Sequence, residues 1–114
     1  MLISNRNRSM HDLLFYEVVP DYRERRIPLR SAHLAHARAA VSRGELILGG
    51  ALADPMDGAV LLFRSDSLTV AEAFAQADPY VLNGLVTSWR VRTWTTVVGE
   101  WAEAPLPAGI GPAD

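Results

Sequence analysis

Chemistry in this 114-residue chain has to come from histidine, carboxylate, arginine and hydroxyl side chains, because it contains neither lysine nor cysteine. The missing lysine removes Schiff-base chemistry by a side chain. The missing cysteine removes thiolate nucleophiles, disulfides and cysteine metal sites. The histidines are His11, His33 and His36. An imidazole changes charge near neutral pH, so a positioned histidine serves as acid or base. His11, just ahead of an apolar run, reads as a surface residue. His33 and His36 are three apart, a spacing that clamps a metal on a helix only with a third ligand. None stands beside them, and no metal site is expected.

Helical spacing of about 100° per residue puts Arg26, Arg30, His33 and Ala37 in one stripe beside an apolar stripe of Ile27, Leu34 and Val41. This predicts a half-buried His33 at the rim of the helix and a solvated His36. A nearby carboxylate would orient the His33 ring, and Asp78 is the candidate. Asp78-Pro79 also reads as plain helix punctuation. A carboxylate at a helix C-terminus opposes the macrodipole, however, and calls for compensation by Arg30, His33 or solvent. Gly49-Gly50 lacks the rest of any phosphate-binding motif and lies in a strand-like run, which suggests close backbone approach or a bulge. Trp89 and Trp94 read as core or interface residues, and Arg90 and Arg92 as a solvated or dimer-edge face.

The elements that must position these residues follow from pattern. Residues 13–19 (LLFYEVV) read as a strand ended by Pro20-Asp21. Residues 24–43 read as one helix, with Pro28 near its first turn and Gly44 as its stop. A strand over 45–52, the turn Asp54-Pro55-Met56-Asp57-Gly58 and a strand over 59–64 form a hairpin. Asp66 or Ser67, or a capping box of Thr69 and Glu72, starts a second helix carrying Val70, Ala73, Phe74 and Ala77. Asn83-Gly84 turns the chain into a fourth strand over 86–98. The order β-α-β-β-α-β is that of a ferredoxin-like α+β fold with an antiparallel sheet. Both helices then lie on one sheet face, and the other face should alternate to polar residues. Leu13-Leu14-Phe15-Tyr16 and Val60-Leu61-Leu62-Phe63 do not alternate. The expectation is that the bare face packs on a second copy of itself, as an isologous homodimer.

Length and composition fit one domain with a small core: 49% of residues are hydrophobic. Residues 1–10 read as an N-terminal tail, with Met10 an alternative start, 11–101 as the domain, and 102–114 as an Ala/Pro/Gly-rich, poorly ordered tail. A net charge of −2 and a pI near 5.9 speak against a nucleic-acid partner. No apolar run approaches the ~20 residues of a membrane span, and the first residues do not resemble a signal peptide. A cytoplasmic location is the default.

Several segments, in order, carry a resemblance. Arg30-Ser31-Ala32-His33-Leu34 resembles the Arg-x-Ala-His-Leu segment of the YCII-related (YciI-like) family. Gly44-Glu45-Leu46-Ile47-Leu48-Gly49-Gly50 resembles its Gly-x-Leu-x-x-x-Gly strand, and Asp57-Gly58-Ala59 its hairpin turn. Ala77-Asp78-Pro79-Tyr80 is similar to its Ala-Asp-Pro-Tyr/Phe segment, and Val91-Arg92-Thr93-Trp94 to its closing Ile-x-Pro-Trp. The chain departs at Thr93 and Gly50, where the family often has proline. It departs again from Pro20 to Arg26, whose Arg-Glu-Arg-Arg run would shape a different pocket mouth. The resemblance implies a dimeric α+β barrel and a His–Asp pair at His33 and Asp78, with Arg30, Gly50 and Tyr80 as substrate contacts and no cofactor. One branch resembles dehydrochlorinases of chlorinated aromatic ring compounds, and muconolactone isomerase shares the fold. Three readings stay open. The first is a cofactor-free lyase or isomerase acting on a small cyclic or aromatic-derived molecule. The second is a non-catalytic small-molecule-binding or interaction module, with His33 and Asp78 as a structural tie. The third is a cofactor-free oxygenase.

Overall fold

A computed structural model describes residues 9–107. The first strand, β1 (Met10–Val18), is the centre of the sheet and pairs antiparallel with two others. It leads into a short helix, α1 (Tyr22–Arg25), a 3-10 turn over Ile27–Leu29, and the long helix α2 (Arg30–Ser42). The hairpin β2 (Leu46–Ala51) and β3 (Gly58–Ser65) follows, then α3 (Thr69–Ala77), the one-turn α4 (Pro79–Leu82) and β4 (Val86–Trp94). The sheet order is β2-β3-β1-β4 with every pairing antiparallel, the ferredoxin-like α+β arrangement. Among the described residues no helix is long and apolar enough to cross a membrane.

Period-two alternation divides the sheet. On one face Leu14 and Tyr16 of β1 and Leu61 and Phe63 of β3 are buried under the helices, with Phe74 of α3 set edge-on to Phe63 at 5.3 Å. On the other face Leu13 stands between Leu62 and Arg92, and Phe15 between Val60 and Arg90. These apolar side chains are only half-buried, and the Arg90 guanidinium lies 4.4 Å from the centre of the Phe15 ring. Trp89 packs against the core, whereas Trp94 is exposed.

The chain differs from the sequence expectations in four places. The single helix over 24–43 is broken in three, because Pro28 has no N–H to donate and disfavours helical geometry in the residue before it. The Ile27/Leu34/Val41 stripe does not enter the core. Ile27 is 72% exposed and Val41 53%, and Leu34 and Val41 line an open cleft between α2 and β2. The fourth strand ends at Trp94 rather than at 98. Beyond it the Ala104 and Leu106 N–H groups donate to the Thr96 and Val97 carbonyls, so residues 102–107 fold back instead of forming a loose tail. Residues 1–8 and 108–114 of the expected tails lie outside the described residues. Finally, of the starts expected for α3 only Ser67 engages, its hydroxyl accepting from the Thr69 N–H at 3.1 Å, and neither an Asp66 cap nor a Thr69–Glu72 box forms.

Two histidines are also placed differently. His11 is 2% exposed, not a surface residue. Its Nδ1 is 2.8 Å from the Thr96 hydroxyl, and its Nε2 faces Glu103 at 3.6 Å, so the returning segment covers it. His36 is not solvated. Its ring stacks on Phe74 at 4.3 Å and its Nε2 donates to the Phe74 carbonyl at 2.9 Å, joining α2 to α3.

Candidate functional site

Asp78 is the fixed point. Proline at 79 disfavours helical geometry at the preceding residue, so α3 stops at Ala77 and Asp78 is extended (φ −70°, ψ 126°). Pro79 has φ preset for a first helical position and opens α4. Asp78 thereby becomes an N-cap, its Oδ1 accepting the Tyr80 N–H at 3.0 Å. The macrodipole objection to an acid at the end of α3 is answered by the helix that begins next to it.

The carboxylate is 0% exposed and gathers side chains from two further elements. The Tyr16 hydroxyl of β1 donates to Oδ2 at 2.7 Å, and Nδ1 of His33 on α2 lies 2.8 Å from Oδ1. An ionised carboxylate only accepts, so Nδ1 of His33 carries the proton. The lone pair of the neutral imidazole is then on Nε2. The ring lies flat on Tyr80, 3.8 Å between centres and 4° between planes. A hydrogen bond and a stacked ring thus fix the imidazole in both tilt and rotation.

His33 opens on a cleft of about 550 Å³ between α2 and the β2 edge. Tyr16, Leu61 and Ala59 line it from the sheet, Leu34 and Val41 from α2, and Leu48 from β2. Arg30, Gly50 and Tyr80 also line it. Gly50 is exposed, and a Cβ there would meet no atom within 4 Å, so the close approach expected of the glycine pair falls at Gly49 instead, where a Cβ would stand 3.2 Å from Leu61 Cγ. The Tyr80 ring is 1% exposed, and its hydroxyl is pushed above its ordinary pKa by burial and by Tyr22, with Arg30 and Arg26 opposing. Burial, then the neighbouring Asp78 carboxylate, holds the Tyr16 phenol far above its usual range, so it is a permanent donor. His36 points away, to Phe74, and the described residues contain no group of three His, Asp or Glu side chains placed for a metal.

Sequence reasoning missed Tyr16 and Tyr22, while Arg26, set by helical spacing in the stripe of Arg30 and His33, does line the cleft. The signal for Tyr16 was available: the alternation that buries Leu14 also buries Tyr16, and a buried phenol needs a hydrogen-bond partner. Tyr22 lies ahead of the long helix, and no periodicity aims it. Tyr22 meets Tyr80 edge-on at 5.8 Å, and the Arg26 guanidinium lies 5.3 Å from the centre of the Tyr22 ring.

Fold and site together define a ferredoxin-like α+β domain with a buried carboxylate holding an imidazole at a cleft. The profile of the YCII-related domain matches residues 10–95, and the chain belongs to that family. It is 31% identical over 86 residues to Protein YciI of Escherichia coli O6:H1, covering 68% of this chain and 88% of that one, and equally to Protein YciI of Shigella flexneri. Among solved structures it resembles 5-chloro-2-hydroxyhydroquinone dehydrochlorinase (TftG) from Burkholderia phenoliruptrix AC1100, in complex with 2,5-dihydroxybenzoquinone. The TM-score is 0.65 at 24% identity, covering 76% of this chain and 95% of that one.

Proposed function

We propose that this protein is a cofactor-free lyase or isomerase acting on a small cyclic or aromatic-derived molecule. The observation that carries the reading is the His33 imidazole, held by a buried carboxylate with its second nitrogen unengaged among the described residues, at a cleft of about 550 Å³. Nε2 takes a proton from a substrate carbon or hydroxyl. In an elimination, the electron pair released forms the new double bond and the leaving group departs with its own pair. In an isomerisation, the imidazolium returns the proton at a second carbon. Asp78 fixes the tautomer and offsets the charge on His33. Arg30, Gly50 and Tyr80 contact the substrate, and Arg30 favours the developing oxyanion. A dehydrochlorinase of similar fold supports the lyase half of this reading.

A positioned base contributes about 10²–10⁴-fold. The test is base-catalysed deuterium uptake and halide release from a panel of hydroxylated and halogenated six-membered-ring compounds. Wild type is expected to exchange or eliminate on at least one, and His33→Ala to lose about 10²–10⁴-fold while keeping its fold. Full turnover by His33→Ala, or an inert panel, would sink the reading. The cytoplasm suits a cysteine-free chain of this kind. The half-buried apolar sheet face supports a homodimer, which would close two such sheets into an α+β barrel.

A further inference from the structure

Resting on that reading, the charge around the cleft narrows the substrate class. Arg26, Arg30 and Arg38 line it, and among the described residues no carboxylate does; Asp78 lies behind the ring of His33, with no exposure. Among the described residues Arg26 and Arg30 make no ion pair, whereas Arg25, Arg43 and Arg64 each hold an acid. Both guanidiniums act on the buried Tyr80 hydroxyl, and Arg30 is near enough to donate to it, although among the described residues that contact falls short of full hydrogen-bond geometry. Arg26 ends the Arg-Glu-Arg-Arg run of residues 23–26. It reaches the cleft because α1 ends at Arg25 and the 3-10 turn sets Arg30 beside it, with Tyr22 seated between Arg26 and Tyr80. Arg38 stands eight residues beyond Arg30, about 12 Å along α2, too far to share one small anion.

We infer that Arg26, Arg30 and the Tyr80 hydroxyl form a carboxylate-binding corner, and that the substrate is a cyclic carboxylate whose ring lies against the apolar wall of Leu34, Val41 and Leu61. Two guanidiniums offer forked N–H donors suited to the two oxygens of a carboxylate, and an enolate oxygen cannot use both forks equally. The wall takes the ring, while His33 stands between the two to meet a ring C–H.

Benzoate and benzamide, equal in shape and different in charge, test this by calorimetric titration of the full chain. Benzoate is expected to bind at least about tenfold more tightly than benzamide. Arg26→Gln should remove about tenfold for benzoate and nothing for benzamide, with Arg26→Lys intermediate because the fork is lost and the charge kept. Arg23→Gln, an equal charge change on an exposed neighbour, controls for the long-range field and should leave benzoate binding within about twofold. Equal affinities for the two probes, no binding of either in the millimolar range, or Arg23→Gln matching Arg26→Gln would each overturn the assignment. Far-ultraviolet circular dichroism of Arg26→Gln and Arg26→Lys confirms that both fold. Benzoate binding is read without turnover, so an inert panel of ring compounds leaves this assignment standing. Equal affinities for benzoate and benzamide, with wild type still exchanging deuterium on an uncharged ring, would remove the carboxylate corner and leave the His33 reading in place.

Discussion

A buried carboxylate with three donors is expensive to disturb, because the donors left behind are buried or half-buried. Tyr16→Phe removes one charge-assisted hydrogen bond to Asp78 without adding volume, and should lower stability by about 1.5–3 kcal/mol in urea denaturation. Its effect on turnover should be smaller than that of His33→Ala, since the His33–Asp78 contact survives. Asp78→Asn keeps the shape but replaces one acceptor oxygen with a donor, so either His33 or Tyr16 loses its acceptor; both stability and turnover should fall. If Asp78 serves only to tie helices together, His33→Ala and Asp78→Asn would lower the melting temperature and nothing else. His11 gives a pH signature. Burial pushes its pKa below the ordinary histidine value of about 6.5, with Glu103 and Asp12 opposing and Arg64 adding to the shift. The unfolded chain therefore binds the proton first as pH falls. Stability is complete above about 6.5, declines below it, and stops declining for this group once the folded pKa is passed. His11→Asn, which still accepts from the Thr96 hydroxyl, should flatten the difference between urea midpoints measured at about pH 7.5 and about pH 5.5.

At the scale of elements, the helices are joined to one another more through histidines than through aliphatic ridges. His36 combines a hydrogen bond to the Phe74 carbonyl with stacking on its ring. His36→Ala should cost about 1–3 kcal/mol by chemical denaturation and loosen α2, raising amide exchange around His33. The hairpin end is equally constrained: a Cβ at Gly58 would stand 2.7 Å from the Tyr16 carbonyl oxygen. Gly58→Ala must therefore shift β1 where it carries Tyr16, and should lower both stability and His33 turnover; an unchanged melting temperature would contradict this. The element order, the hairpin and the break at Pro79 were legible because turn chemistry and strand composition are local signals. The juxtaposition of Arg30 with His33 was legible for the same reason, through helical periodicity. That His33 meets Asp78 was suggested by resemblance alone, since the contact spans 45 positions and no local rule carries it. The fate of the Ile27/Leu34/Val41 stripe was not legible. A periodic apolar face marks avoidance of water, and a ligand cleft or a partner satisfies it as well as a core does. His11 was misplaced because its burial depends on residues 96–106 returning over it, and that segment has no periodicity to read.

At the scale of the whole molecule, the two sheet faces have different fates. The helices cover one. The other sets Leu13, Phe15, Val60 and Leu62 side by side in register, with Leu48 of β2 opposite Leu62. Leaving these half-buried in a chain of 12.5 kDa forgoes much of the apolar burial a small domain depends on. Exposed edges at β2 and β4 are a further liability that closure into a barrel removes. An isologous contact places the same patch on both copies, so one substitution strikes the interface twice. Leu62→Glu sets a carboxylate at the centre of that face, where a free monomer can still hydrate it. Sedimentation of the wild type should show one species at twice the mass of the chain, and Leu62→Glu a species at 12.5 kDa with native circular dichroism and a lower, concentration-independent melting temperature. A wild-type protein that sediments at 12.5 kDa across micromolar concentrations would remove the barrel.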